Sequence, residues 1–243
     1  MNPGTVHIGT SGWTYGDWAG AFYPQGVKGA ERLTYYAERF NTVEVNATFY
    51  RLPTAGMVAS WNRRLAPDFR LVVKGARLVT HLKRLKDCEA PLRAFVERVR
   101  PLHTLRVILW QLPPTLHKDV GRLTEFLAML PDGVRHAVEF RHESWWDGEV
   151  ARTLERHAAA FVAISHPRLP DAVLPTTDLL YVRFHGLGER LYDYDYRSEE
   201  LAAWSARLAP HLEGRRLYAF FNNDLRANAV RNAQALRALL TER

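Results

Sequence analysis

The 243-residue chain is short of the features that would settle a function at once. A single cysteine, Cys88, excludes an intramolecular disulfide and any multi-cysteine zinc site. Apolar runs such as Tyr218 to Phe221 fall far below the ~20 residues that a membrane-spanning helix needs. No basic patch followed by an apolar core opens the chain, so no export signal is expected. With one thiol and no such signal, the expected compartment is the cytoplasm, without membrane attachment. There is no G-x-G-x-x-G turn for a dinucleotide, no H-E-x-x-H pair for zinc and no G-x-S-x-G elbow for a serine nucleophile. No linker rich in Pro, Ser or Gly and no repeat of fixed period divides the chain. One domain over residues 1–243 is therefore expected.

Apolar side chain is plentiful. Hydrophobic residues make up 47% and charged residues 24%, enough to bury a core and to exclude disorder over most of the chain. Lys and Arg exceed Asp and Glu by 33 to 26, a net charge of +7. That surplus favours anionic partners, although alone it speaks to solubility rather than function.

Short apolar runs recur: His7 to Ser11, Val43 to Asn46, Leu71 to Lys74, Val107 to Gln111, Ala137 to Arg141, Phe161 to Ser165, Tyr181 to His185 and Tyr218 to Asp224. Between most of them lie stretches with apolar residues three and four apart, as in Leu123, Phe126, Leu127 and Leu130. The segment Pro167 to Thr177 is rich in proline and reads as a loop. Ser198, ahead of Glu199 and Glu200, reads as a helix N-cap. Strand and helix alternating about eight times in this length predict an α/β fold, a single parallel (β/α)8 barrel.

The strands also carry a polar phase. Side chains alternate with period two, so Glu44 and Asn46 share one face, as do Glu139 and Arg141, and Arg183 and His185. Lys74, Gln111 and Ser165 close their strands, and Asn222, Asn223 and Asp224 close the last. The face against the helices must be apolar, so the charged phase must point into the lumen and pair there. Glu44 with Lys74 and Glu139 with Arg183 are the expected pairs. Nearly all these groups sit at C-terminal strand ends, where barrels of this kind build their active sites.

The motifs GTSGWTYGDWAGAFYP (Gly9 to Pro24), FNTVEVNATFYRLP (Phe40 to Pro53), QLPP (Gln111 to Pro114), EFRHESW (Glu139 to Trp145), YVRFHG (Tyr181 to Gly186) and FNND (Phe221 to Asp224) closely resemble the YecE-like family, catalogued also as domain of unknown function seventy-two. The resemblance runs from about Val6 to Leu240. It implies a TIM-type barrel and no particular activity. It also marks polar positions at Glu44, Asn46, Lys74, Thr80, His81, Gln111, Glu139, Arg141, His142, Arg183, His185, Asn222, Asn223 and Asp224. One departure stands out: relatives often carry an acid after the sixth strand, where this chain has Ser165 and His166.

These residues suggest an enzyme, a hydrolase or lyase acting on an anionic, phosphate-bearing substrate. Lys74, Arg141 and Arg183 are the expected anion grip. Glu44 or Glu139 is the expected base, and His185 the acid or polarising donor, with Asn46, Asn222 and Asn223 as orienting donors. Trp13 and Tyr15, in a glycine-rich first loop, could cover a flat ligand face or simply plug the mouth. His81, Gln111, His142 and Asp224 complete the expected binding set. Glu44 and Glu139 lie nearly across the barrel, a spacing that leaves room for water between them. No cofactor is expected. A divalent metal on Glu44, Glu139, His142, His185, Asn223 or Asp224 is the weaker alternative, because cationic neighbours would repel it. The basic run Lys74 to Lys86 leaves nucleic acid as a rival partner to a small anion, and a non-catalytic ligand sensor as a further rival.

Overall fold

Eight parallel strands form one sheet, ordered β1-β8-β7-β6-β5-β4-β3-β2, which curls until its first and last members meet. The computed structural model describes residues 4–241. The strands are β1 (Thr5–Thr10), β2 (Thr42–Val45), β3 (Arg70–Lys74), β4 (Leu105–Gln111), β5 (Arg135–Glu139), β6 (Ala159–Ser165), β7 (Leu179–Phe184) and β8 (Arg216–Phe221). The helices are α1 (Glu31–Ala37), α2 (Ala47–Tyr50), α3 (Ala55–Arg64), α4 (Glu89–Val99), α5 (Val120–Ala128), α6 (Gly148–Arg156), α7 (Ser198–Leu208) and α8 (Asn228–Thr241). This is a single (β/α)8 barrel, as the alternation of runs predicts. The stretch between β6 and β7 carries no helix. No helix among the described residues is long and apolar enough to cross a membrane.

Local chemistry sets the helix starts. Thr54 and Asp119 accept from the backbone amides of Met57 and Arg122, and Asp147 accepts from that of Glu149. Each cap satisfies an amide that the first turn leaves unpaired. Ser198 is not the cap of α7 but its first residue. Arg197 holds the cap position, and Glu200 folds back to accept from its amide at 2.9 Å.

Period two divides the core in two. Val43, Val45, Leu71, Val73, Ile108, Trp110 and Val138 join the layer packed between strands and helices. The alternate residues Val72, Val107, Leu109, Ala137, Ala160, Val162, Leu179, Tyr181, Tyr218 and Phe220 form a second cluster that fills the lumen. Above this apolar plug, towards the strand C-termini, the same phase becomes polar.

Seven neighbouring pairs share backbone ladders, but β1 and β2 do not. At that seam the Tyr36 hydroxyl stands in for the missing ladder. It accepts from the Thr10 amide at 3.0 Å and donates to the Thr42 carbonyl at 3.2 Å. Gly9 is required beside it, because a Cβ there would lie 2.4 Å from the Thr42 carbonyl oxygen.

Candidate functional site

The centre of the mouth is the Arg183 guanidinium, fully buried on β7. Its Nη2 donates to Glu44 Oε1 at 2.7 Å and its Nη1 to Glu139 Oε2 at 2.6 Å. Glu44 also accepts from the Ser11 hydroxyl at 2.7 Å and the Tyr181 hydroxyl at 2.5 Å. Arg141, just past β5, donates from Nε to the other oxygen of Glu139. The expected Glu139–Arg183 pair is present. Glu44 pairs with Arg183 rather than with Lys74, because the curved sheet brings β7 across the lumen to β2. The two carboxylates are bridged by one guanidinium instead of being separated by water.

Two arginines and two glutamates make this network formally neutral. Charges buried this completely persist only when paired, and both arginines are, although Arg183 Nε has no hydrogen-bond partner among the described residues. Burial pushes the Glu139 carboxyl up, but Arg141, Arg183 and His185 outweigh it and hold it well below the usual carboxylate range. His185, also fully buried, is held well below its ordinary value by burial and then by Arg141. Its Nε2 lies 3.0 Å from Arg141 Nη2, and its Nδ1 lies 3.2 Å from the Asn222 amide. With the ring neutral, Arg141, which can only donate, fixes Nε2 as the acceptor. Asn46 reaches Asn222 at 3.4 Å and closes the ring of contacts back to β2.

Lys74 stands apart from this balance. Its Nζ donates to Gln111 Oε1 at 2.6 Å and sits 4.3 Å from the Phe49 ring centroid. Burial, then Arg183, lowers its amine to about 7. His81 stacks edge-on against Phe49 and is lowered to about 4 by burial and by Lys74.

Beside Gln111 opens a cavity of about 580 Å³ lined also by Arg141, His142, His166, Arg168 and Tyr192. Two arginines and two histidines face it, and no carboxylate among the described residues lines it. His142 stacks on His117 with ring centroids 3.8 Å apart. His166 is lowered to about 4 by burial and then by Arg141.

Other expected residues lie elsewhere. Asn223 is buried and donates to the Tyr194 carbonyl and to Asn232, so it ties the stretch after β7 to α8 and not to Arg183. Trp13 packs edge-on against Trp61, and Tyr15 donates to the Ser11 carbonyl, both beside a separate cavity of about 410 Å³. Asp224 accepts the Trp18 indole through its backbone carbonyl, and its carboxyl is pushed up to about 6 by burial, with Asp17 adding to it. No group of three or more His, Cys, Asp or Glu side chains among the described residues is placed to hold a metal ion.

Tyr181 and Ser11 were not singled out from the sequence, yet both bind Glu44. Tyr181 shares the phase of Arg183 and His185, so the alternation that marked those two also marks it. Arg168 lies on the loop after β6 and had no periodic signal.

Known relatives agree with this architecture. The family described as "Protein of unknown function DUF72" matches residues 7–243. The UPF0759 protein YecE of Escherichia coli strain K12 is 32% identical over 154 residues, which is 62% of this chain and 54% of that protein; the match thus spans about half of the relative's length. The UPF0759 protein YunF of Bacillus subtilis strain 168 is 24% identical over 97% of this chain and 94% of its own. The crystal structure of a DUF72 family protein from Thermotoga maritima superposes with a TM-score of 0.89 at 32% identity, covering 97% of this chain and 99% of that one. A DUF72 family protein from Enterococcus faecalis, at 21% identity and a TM-score of 0.84, repeats the fold over 97% of this chain and 95% of that one. On the family match and the shared barrel together, the chain belongs to the DUF72 family.

Proposed function

We propose that the barrel mouth is the active site of an enzyme acting on a small phosphate-bearing substrate, by hydrolysis or lyase-type cleavage. The observation that carries this reading is the cavity beside Gln111, which presents Arg141, Arg168, His142 and His166 and no acid. Such a site attracts a dianion, and guanidinium groups match phosphate oxygens geometrically. The phosphate is assigned to Arg141 and Arg168. Arg183 is fully buried and committed to two carboxylates, so it orients the network and does not touch substrate. Glu44 and Glu139 in turn fix Arg183 and Arg141. Glu139, held strongly ionised, is a weak base. His185 and Asn222 are left to orient the substrate through Arg141.

Inorganic phosphate titrated calorimetrically tests the reading. Arg168→Ala, at an exposed loop position, should weaken binding at least tenfold without altering the fold. Equal affinity in both proteins, or no binding at all, would overturn it. A second reading rests on a different surface. Tyr50 is 76% and Leu82 63% exposed, beside the basic run that follows β3. Single-stranded nucleic acid could stack and pair there, and it predicts affinity that collapses between low and moderate salt.

A further inference from the structure

We propose that Lys74 captures the carbonyl carbon of the substrate as a Schiff base, so that the ligand class is a small phosphorylated aldehyde or ketone. This inference rests on the phosphate reading above and adds the reacting group to it.

The chain has only five lysines: Lys28, Lys74, Lys83, Lys86 and Lys118. Lys74 alone among them is buried, with 9% of its surface exposed. It ends β3 at the mouth, and its backbone carbonyl is fixed by the Thr48 hydroxyl at 2.7 Å. No carboxylate lies within ion-pair distance of Nζ among the described residues. The one hydrogen-bond partner of Nζ among the described residues is the neutral Gln111 amide, and Gln111 lines the cavity assigned to the phosphate. The Phe49 ring covers one side of the amine.

The charged surroundings come from several elements. Arg183 and Arg141 disfavour the ammonium, whereas Glu139 and Glu44 favour it but are spent on the arginines. His81, in the π-helical turn Leu78–Leu82 after β3, faces the same amine and is itself held low. An ammonium here would be a surplus cation in a network already neutral without it. The free amine has no such penalty, and an unprotonated amine is what condensing with a carbonyl requires; among the described residues the Gln111 side chain alone links it to the cavity assigned to the phosphate.

The step balances without any further reagent. The nitrogen lone pair forms a C–N bond to the carbonyl carbon while the C–O π pair moves to oxygen, which takes the amine proton. A second proton transfer expels that hydroxyl as water and leaves an iminium. The iminium accepts the electron pair of the bond one carbon further on when that bond breaks. Protonation of the resulting enamine and hydrolysis by one water return the amine.

Glycolaldehyde phosphate and cyanoborohydride, added to the intact protein, test the proposal by mass and peptide mapping. The expected result is one dominant adduct on Lys74, with labelling that rises through pH about 7. Lys74→Arg should abolish that adduct, and excess inorganic phosphate should suppress it in the wild type. Labelling spread over the other lysines, or none on Lys74, overturns the inference. If phosphate still binds in that case, the phosphate reading stands and only the Schiff base falls. If unphosphorylated glycolaldehyde labels Lys74 equally well, the amine assignment holds and the phosphate reading falls.

Discussion

Replacing Arg183 with methionine should strip the mouth of its central cation while roughly preserving its volume. Two charge-assisted hydrogen bonds, at 2.6 and 2.7 Å, would vanish together. Each such bond contributes about 1.5–3 kcal/mol, so about 3–6 kcal/mol is at stake. The figure agrees with the ~3–5 kcal/mol usual when one partner of a buried pair is removed. Most of that cost comes from Glu44, whose one counter-charge among the described residues is Arg183, so it should be recoverable by neutralising Glu44. In Arg183→Met combined with Glu44→Gln, Glu139 keeps Arg141 and no unpaired acid remains. The double variant should therefore be more stable than the sum of the two single losses by at least ~2 kcal/mol, a coupling expected of residues in direct contact. Equilibrium unfolding in urea, followed by tryptophan fluorescence, reads all four corners of the cycle. Strict additivity, or an Arg183→Met loss under ~1 kcal/mol, would refute the claim that this guanidinium holds both acids.

Tyr36→Phe should cost about 1–3 kcal/mol, because the buried Thr10 amide loses its acceptor; chemical denaturation measures it, and no loss would show that the seam closes by other means. Gly75→Ala should destabilise by at least ~1–3 kcal/mol, since the added Cβ would lie 2.2 Å from the buried Trp110 ring. Asp224→Asn should stabilise the protein at neutral pH by about 1 kcal/mol, a figure already reduced for partial exposure. The sign follows from a folded carboxyl raised to about 6: the wild type loses stability as pH rises from about 4 to about 6, and the variant does not. For Lys74, lowered to about 7, the folded amine gives up its proton first, so wild-type stability relative to Lys74→Met should rise between about pH 7 and pH 10.5. Thermal melts across that range decide it, and a flat difference counts against a depressed amine.

The barrel was legible because both of its periodicities are written locally: 3.6 in stretches such as Val120–Ala128, and two in runs such as Thr42–Val45. The convergence of Glu44, Glu139 and Arg183 followed from the second period alone. Their partners did not, because which carboxylate meets which cation depends on how far the sheet curls, a property of all eight strands together. Asn223 shows the same period running past the end of β8 at Phe221. Phe220 faces the lumen and Phe221 the helices, so Asn222 faces His185 while Asn223 faces Tyr194 and Asn232, away from the mouth. The cavity lined by His166 and Arg168 sits on a loop without periodicity, and only its folded path brings those residues to Arg141.

A cask with one stave left unglued springs first at that joint. The hydroxyl of Ser11 on one side and the carboxylate of Glu44 on the other span the gap between β1 and β2. Glu44 then relays any parting of those edges to Arg183, and through Glu139 to Arg141. Slackening of the cask would thus be felt first where an anion is gripped, and an anion drawn tightly against Arg141 would in return hold the joint shut.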